Sequence, residues 1–139
     1  MKAEDLVFAR SINNCNALHY AVKAGGKRVL LELLKSKQLR NNPKAIDRPD
    51  NDGENPLHLA IRLGRLELAS EILNAKADVN APDNYGRSPL EKALKGNKDD
   101  IVELLLKHNA NEKLLEKHSD PTVRRRLVQI KQLIRSRSQ

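Results

Sequence analysis

The stretch Asp50-Asn51-Asp52-Gly53-Glu54-Asn55-Pro56-Leu57-His58-Leu59-Ala60 decides the fold, because it returns 33 residues later as Asp83-Asn84-Tyr85-Gly86-Arg87-Ser88-Pro89-Leu90-Glu91-Lys92-Ala93. Asp, Gly, Pro, Leu and Ala recur in register, and downstream Ile72-Leu73 pairs with Leu105-Leu106 and Ala77 with Ala110. An earlier copy, Asn16-Ala17-Leu18-His19-Tyr20-Ala21-Val22-Lys23-Ala24-Gly25, precedes the second by 39 residues, as Leu33-Leu34 precedes Ile72-Leu73. Six additional residues therefore fall in Lys35–Pro49. A fixed period of this length marks stacked supersecondary units, none of which can bury its apolar faces alone.

Local chemistry makes each unit a helix pair. Pro56 and Pro89 suit the first helical turn, where a missing N–H costs nothing. Asn55 and Ser88 just before them are good N-caps. Leu57, Ala60 and Ile61, and likewise Leu90, Ala93 and Leu94, fall on one helical face. These first helices are about two turns long and marginal in isolation. Second helices are predicted near Leu66–Asn74 and Asp99–Lys107, with broader apolar stripes.

These residues resemble the ankyrin repeat, whose period is 33 and whose signature is Thr-Pro-Leu-His-x-Ala. The best copy is Asn55-Pro56-Leu57-His58-Leu59-Ala60, followed by Gly64 and Ala77-Asp78-Val79-Asn80-Ala81. The resemblance covers roughly residues 11–111. It departs from the signature at Asn16, Asn55 and Ser88 in the threonine place, at Ala17 for proline, at Glu91 for histidine and at Asn97 for the turn glycine. It implies an all-α solenoid of stacked helix-turn-helix units joined by hairpin-like loops. The expected division is a cap at 1–10, repeats at 11–49, 50–82 and 83–111, and a basic helical cap at 112–139. His19, Pro56, Leu57, His58, Ala60, Gly64, Pro89, Leu90 and Ala93 are then structural, the histidines bonding backbone in the turns between repeats.

Composition agrees with such a stack. Phe8, Tyr20 and Tyr85 are the whole aromatic inventory, 2% of 139 residues, so the core must be aliphatic. So few rings argue against modules that stack bases on aromatic platforms. No apolar run of about 18 residues predicts a transmembrane helix. Cys15 is the single cysteine, so no disulfide forms within the chain. A reducing interior fits best, with the cytoplasm expected and a nuclear or host-cell site as alternatives.

At the ends, Lys2–Ala9 reads as a short helix. Asn111 is a cap for a brief helix through Leu114 and Leu115, and Asp120-Pro121 is a helix start. Val123, Leu127, Ile130 and Ile134 then form one apolar stripe, opposite Arg124, Arg125, Lys131 and Arg135. This helix reads as a cap on the last repeat, or as a basic amphipathic helix that binds nucleic acid or anionic membrane. Of the net charge of +8, residues 112–139 carry eight basic against three acidic side chains.

Candidate chemistry is thin. Cys15 has no positioned partner for nucleophilic work with His19 or His58. His108 and His118 lack a second pair at zinc-ligand spacing, and Gly25-Gly26 is no phosphate loop. No enzyme, cofactor, metal or small-molecule substrate is expected. Interaction remains, and the resemblance implies that loop tips and the concave face of the first helices grip a partner protein. By position the tips are Asn51, Asp52 and Glu54, then Asn84, Tyr85 and Arg87. Lys23, Arg62 and Lys95 recur at one concave position with Leu63 beside them, which predicts a basic ridge, an acidic partner surface and a monomeric binder. The insertion Gln38–Arg48 is expected to be a mildly basic loop that enlarges this edge if it extends the tips. The alternative is a targeting or docking segment of a larger enzyme or pathogen effector.

Overall fold

Three asparagine or serine side chains start the three inner helices. Asn16, Asn55 and Ser88 lie in extended backbone and accept the N–H of His19, His58 and Glu91, three residues on. The computed structural model describes residues 16–116 and 120–138. The expected N-terminal helix and cap at 1–10, Cys15 and His118 lie outside these residues.

Repeat 1 supplies α1 (Ala17–Ala24), α2 (Lys27–Leu34) and a short α3 (Lys37–Asn41), followed by a 3₁₀ turn at Pro43–Asp47. Repeat 2 supplies α4 (Pro56–Arg62) and α5 (Leu66–Asn74), and repeat 3 supplies α6 (Pro89–Lys95) and α7 (Asp99–Lys107). A second 3₁₀ turn, Glu112–Leu115, leads towards α8 (Pro121–Arg137). No strand occurs among the described residues, so the fold is an all-α repeat solenoid.

Helices α1, α4 and α6 pack in sequence as an inner row, and α2, α5 and α7 as an outer row. The long α8 touches both α6 and α7. One set of equivalent positions, Leu18, Leu57 and Leu90, is buried in every repeat, as is Leu33, Ile72 and Leu105. Ala21, Ala60 and Ala93, equivalent positions of the inner helices, are buried as well. Among the described residues the hydrophobic core is aliphatic.

The turn after each inner helix needs a left-handed residue. Gly25 and Gly64 supply it at φ 72° and 70°, and Asn97 takes the same place at 56°. Asparagine tolerates this region better than most side chains, which is why the missing third glycine leaves the repeat intact.

The insertion differs from its expected form. It is not a projecting loop: α3 and the Pro43–Asp47 turn bury Leu39, Ala45 and Ile46 in the core. Leu39 and Ile46 lie beside Leu34 and Ala75, near the C-terminal ends of α2 and α5. Burying three apolar side chains outweighs an extended path over the surface. The segment thickens the stack and does not lengthen the hairpin edge.

Candidate functional site

The hairpin tips are held by one aspartate each. Asp50 Oδ1 accepts the N–H groups of Asp52 and Glu54 at 2.9 and 3.0 Å, and Asp83 Oδ1 accepts those of Tyr85 and Arg87, both at 2.9 Å. The backbone closes each loop through Asp50 N–H to Glu54 O and Asp83 N–H to Arg87 O. Gly53 and Gly86 take the left-handed position at φ 76° and 75°, where a Cβ would be strained. A Cβ at Gly53 would also fall within 2.4 Å of Asn84 Oδ1, so neighbouring tips are packed against each other.

Turn geometry makes Asn51, Asp52, Asn84 and Tyr85 exposed tips. Tyr85 is 81% exposed, and the Arg87 guanidinium lies over its ring at 4.9 Å. Glu54 is a correction to the expected set. Its residue is only 8% exposed, because Arg62 grips its carboxylate at 3.0 and 3.1 Å and Lys92 at 3.1 Å. Lys92 also lies 3.5 Å from Asp83, which Arg87 Nε binds at 3.0 Å. The result is a chain of alternating charges, Arg62, Glu54, Lys92, Asp83 and Arg87, beneath the two tips. Burial pushes the Glu54 and Asp83 carboxyls up, but these cations and N–H donors more than reverse it and hold both below the usual carboxylate range.

The three ridge positions are exposed as expected, with Leu63 beside them. Their charges are partly answered. Arg62 is paired with Glu54, and Lys95 with Glu91 at 3.1 Å. Lys23 lies 5.8 Å from the ring of Tyr20. The C-terminal set divides similarly: Arg124, Arg125 and Arg135 are exposed, whereas Lys131 is bound to Glu112 at 3.0 Å.

Two residues of the face escaped the sequence reading. Tyr20, half exposed on α1, is a second aromatic on the inner row. Lys92 stands where the other repeats have Leu59 and Tyr20.

His19 and His58 work at the repeat junctions. In each, Nδ1 accepts the N–H of the capping asparagine, at 3.2 Å for His19 and 3.1 Å for His58. Nε2 faces Glu54 O at 2.9 Å and Ala81 O at 2.6 Å. At His58 a neutral imidazole protonated at Nε2 satisfies both contacts. Among the described residues no group of three or more His, Cys, Asp or Glu is gathered to hold a metal, and no helix is long and apolar enough to cross a membrane.

A family model of ankyrin repeats, in three copies, matches residues 18–117. No curated protein matches the chain.

Proposed function

Because the chain belongs to the ankyrin repeat family, whose repeats are generally protein–protein interaction modules, we propose that it binds a partner protein through the tips and concave face. Ankyrin repeat domains are typically non-enzymatic, and the role inferred here is that of an adaptor. The observation that carries the reading is the tip of repeat 3. Tyr85 is turned out to solvent on a hairpin fixed by Asp83 and is flanked by Arg87. A large ring on a rigid mount, next to a guanidinium, has the composition of an interface hot spot.

Around that anchor we assign Asn51, Asp52, Asn84, Arg62, Leu63, Lys95 and Lys23 to the contact, and add Tyr20. Glu54 serves as a buried support. The partner surface facing Lys23, Arg62 and Lys95 is acidic in this reading, with electrostatics acting more on association rate than on affinity. The ion pairs at Arg62 and Lys95 temper that contribution, so Tyr85 rather than the ridge is the main anchor. A monomeric binder is the accompanying proposal, working in the cytoplasm, a reducing compartment that the single cysteine fits.

The test is affinity capture from the native cell followed by mass spectrometry, comparing the wild type with Tyr85→Ala and with Arg62→Gln/Lys95→Gln. Neutralisation is preferable to reversal, which would set new carboxylates beside Glu54 and Glu91. The expected result is loss of specific partners with Tyr85→Ala and slower association with the double variant. Equal recovery of the same partners by all three proteins overturns the assignment of this face.

A further inference from the structure

The C-terminal end of the stack carries a second surface, remote from the hairpin tips. Inside the solenoid each repeat is covered by two helices of the next. After repeat 3 the described residues supply a single helix, α8, packed against both α6 and α7. One cylinder about 10 Å wide cannot cover two helices along their whole length. At this end Leu106 is only partly buried.

What remains open is a groove of about 660 Å³ between the end of α7, the Glu112–Leu115 turn and the last turns of α8. Leu106, Ala110 and Ile134 line it with apolar surface. Lys107, Lys113, Lys131 and Arg135 stand around them, with Glu103 and Glu112. Both carboxylates are already engaged: Glu103 by Lys107 at 3.7 Å and Arg137 at 3.1 Å, Glu112 by Lys131 at 3.0 Å. Lys113 and Arg135 are exposed and have no acidic partner among the described residues.

We propose that this groove docks an acidic, amphipathic segment of a partner protein, with an apolar side chain against Leu106 and Ile134 and carboxylates on Lys113 and Arg135. The apolar lining and unanswered positive rim together call for that chemistry, as in grooves that take a helix or strand by its apolar face. A nucleic acid would use the cations but leave the apolar lining unfilled, and among the described residues no aromatic side chain lines the groove for base stacking. Among the described residues the opposite end, residues 17–37, carries Lys23, Lys27, Arg28, Lys35 and Lys37 against Glu32 alone, a charge that disfavours a second copy stacking head to tail.

Fluorescence anisotropy with the full chain tests the proposal, using as probe a short fluorescein-labelled peptide built of Glu and Leu at helical spacing. Saturable binding is expected. Lys113→Glu/Arg135→Glu should weaken it about tenfold or more, and Ile134→Ser should weaken it as well, with the fold of each variant checked by circular dichroism. Arg124→Glu/Arg125→Glu, on the same helix but outside the groove, should change it by less than about twofold. Tyr85→Ala should leave it unaltered, which separates this proposal from the concave-face reading. Absence of saturable binding, equal losses in the two charge-reversed variants, or indifference to Ile134→Ser overturns the groove. So does a DNA duplex that binds more tightly than the peptide and loses affinity in Lys113→Glu/Arg135→Glu alone, which would reassign the cations to nucleic acid.

Discussion

The imidazole Nε2 of His58 lies 2.6 Å from the carbonyl oxygen of Ala81, 23 residues further on, at the approach to the next repeat. The same ring accepts the Asn55 N–H at Nδ1, so one neutral side chain caps a helix and joins two repeats. Burial, with Lys92 nearby, holds its pKa below the ordinary histidine value, although the Ala81 bond and the carboxylates of Asp83 and Glu54 oppose this. A depressed histidine pKa means that the unfolded chain binds more protons below about pH 6.5, so stability is full above that value and falls with acidification. Urea denaturation at stepped pH should show this loss. His58→Ala should cost about 2–4 kcal/mol at neutral pH, since two buried backbone groups lose partners. It should also have a shallower slope between about pH 6.5 and 5. Parallel profiles for the two proteins would show that His58 is not the source.

Helix starts, the repeat register and the closing helix were legible because each rests on local chemistry repeated at a fixed interval. Asn55, Pro56 and His58 announce a capped helix within four residues, and Asn16 and Ser88 repeat the message. The burial of Glu54 was not legible. Its partner Lys92 arrives from 38 residues away, and the pairing exists only once two repeats have stacked. The ridge of Lys23, Arg62 and Lys95 was readable as positions but not as charge, because Arg62 reaches back eight residues to Glu54. The packed form of the insertion was not legible for a related reason. Leu39, Ala45 and Ile46 are too few to show a period, and only tertiary packing selects their helical form.

Asp47 and Asn80 are equivalent residues 33 apart that do the same work with different charge. Asn80 Oδ1 accepts the Asn111 N–H at 2.8 Å, and the Asp47 carboxylate accepts the Asp78 N–H at 3.1 and 3.2 Å. Burial pushes the Asp47 carboxyl above its usual range, and the Asp78 charge adds to this against the hydrogen bond. Asp47→Asn keeps an acceptor and removes the repulsion, so it should stabilise the protein at neutral pH by about 0.5 kcal/mol, the scale of a partly exposed charge pair. A raised carboxyl pKa penalises the charged form, so the wild type recovers as pH falls and Asp47 protonates. The advantage of Asp47→Asn should therefore shrink on acidification. A gain that persists unchanged at low pH would point to a different cause.

Leu39 lies in the five-residue helix of the insertion and is 6% exposed. A tolerated surface loop would accept Leu39→Ala with little change. A packed element should lose about 2–5 kcal/mol, the usual range for a buried leucine truncated to alanine. Thermal unfolding distinguishes the two, with Lys37→Ala, an exposed change in the same helix, as the reference. A Leu39→Ala protein that melts with the Lys37→Ala protein would return the segment to the status of a loop.

Lys76 follows α5 with φ 73°, the left-handed conformation, and Asn109 holds the equivalent place after α7 at 64°. Lys76 and Ala77 N–H groups bond Leu73 O and Ile72 O, which closes the helix end. The geometry is required and the lysine Cβ opposes it, since a non-glycine residue there is disfavoured by about 1–2 kcal/mol. Glycine removes that strain but gains conformational freedom in the unfolded chain, which returns part of the benefit. Lys76→Gly should therefore raise stability by about 0.5–1 kcal/mol. Lys76→Ala, which keeps the Cβ and loses the charge, should not. Chemical denaturation of the pair separates backbone strain from charge: equal gains in both variants would mean that the lysine charge, and not its left-handed backbone, is what disfavours the wild type.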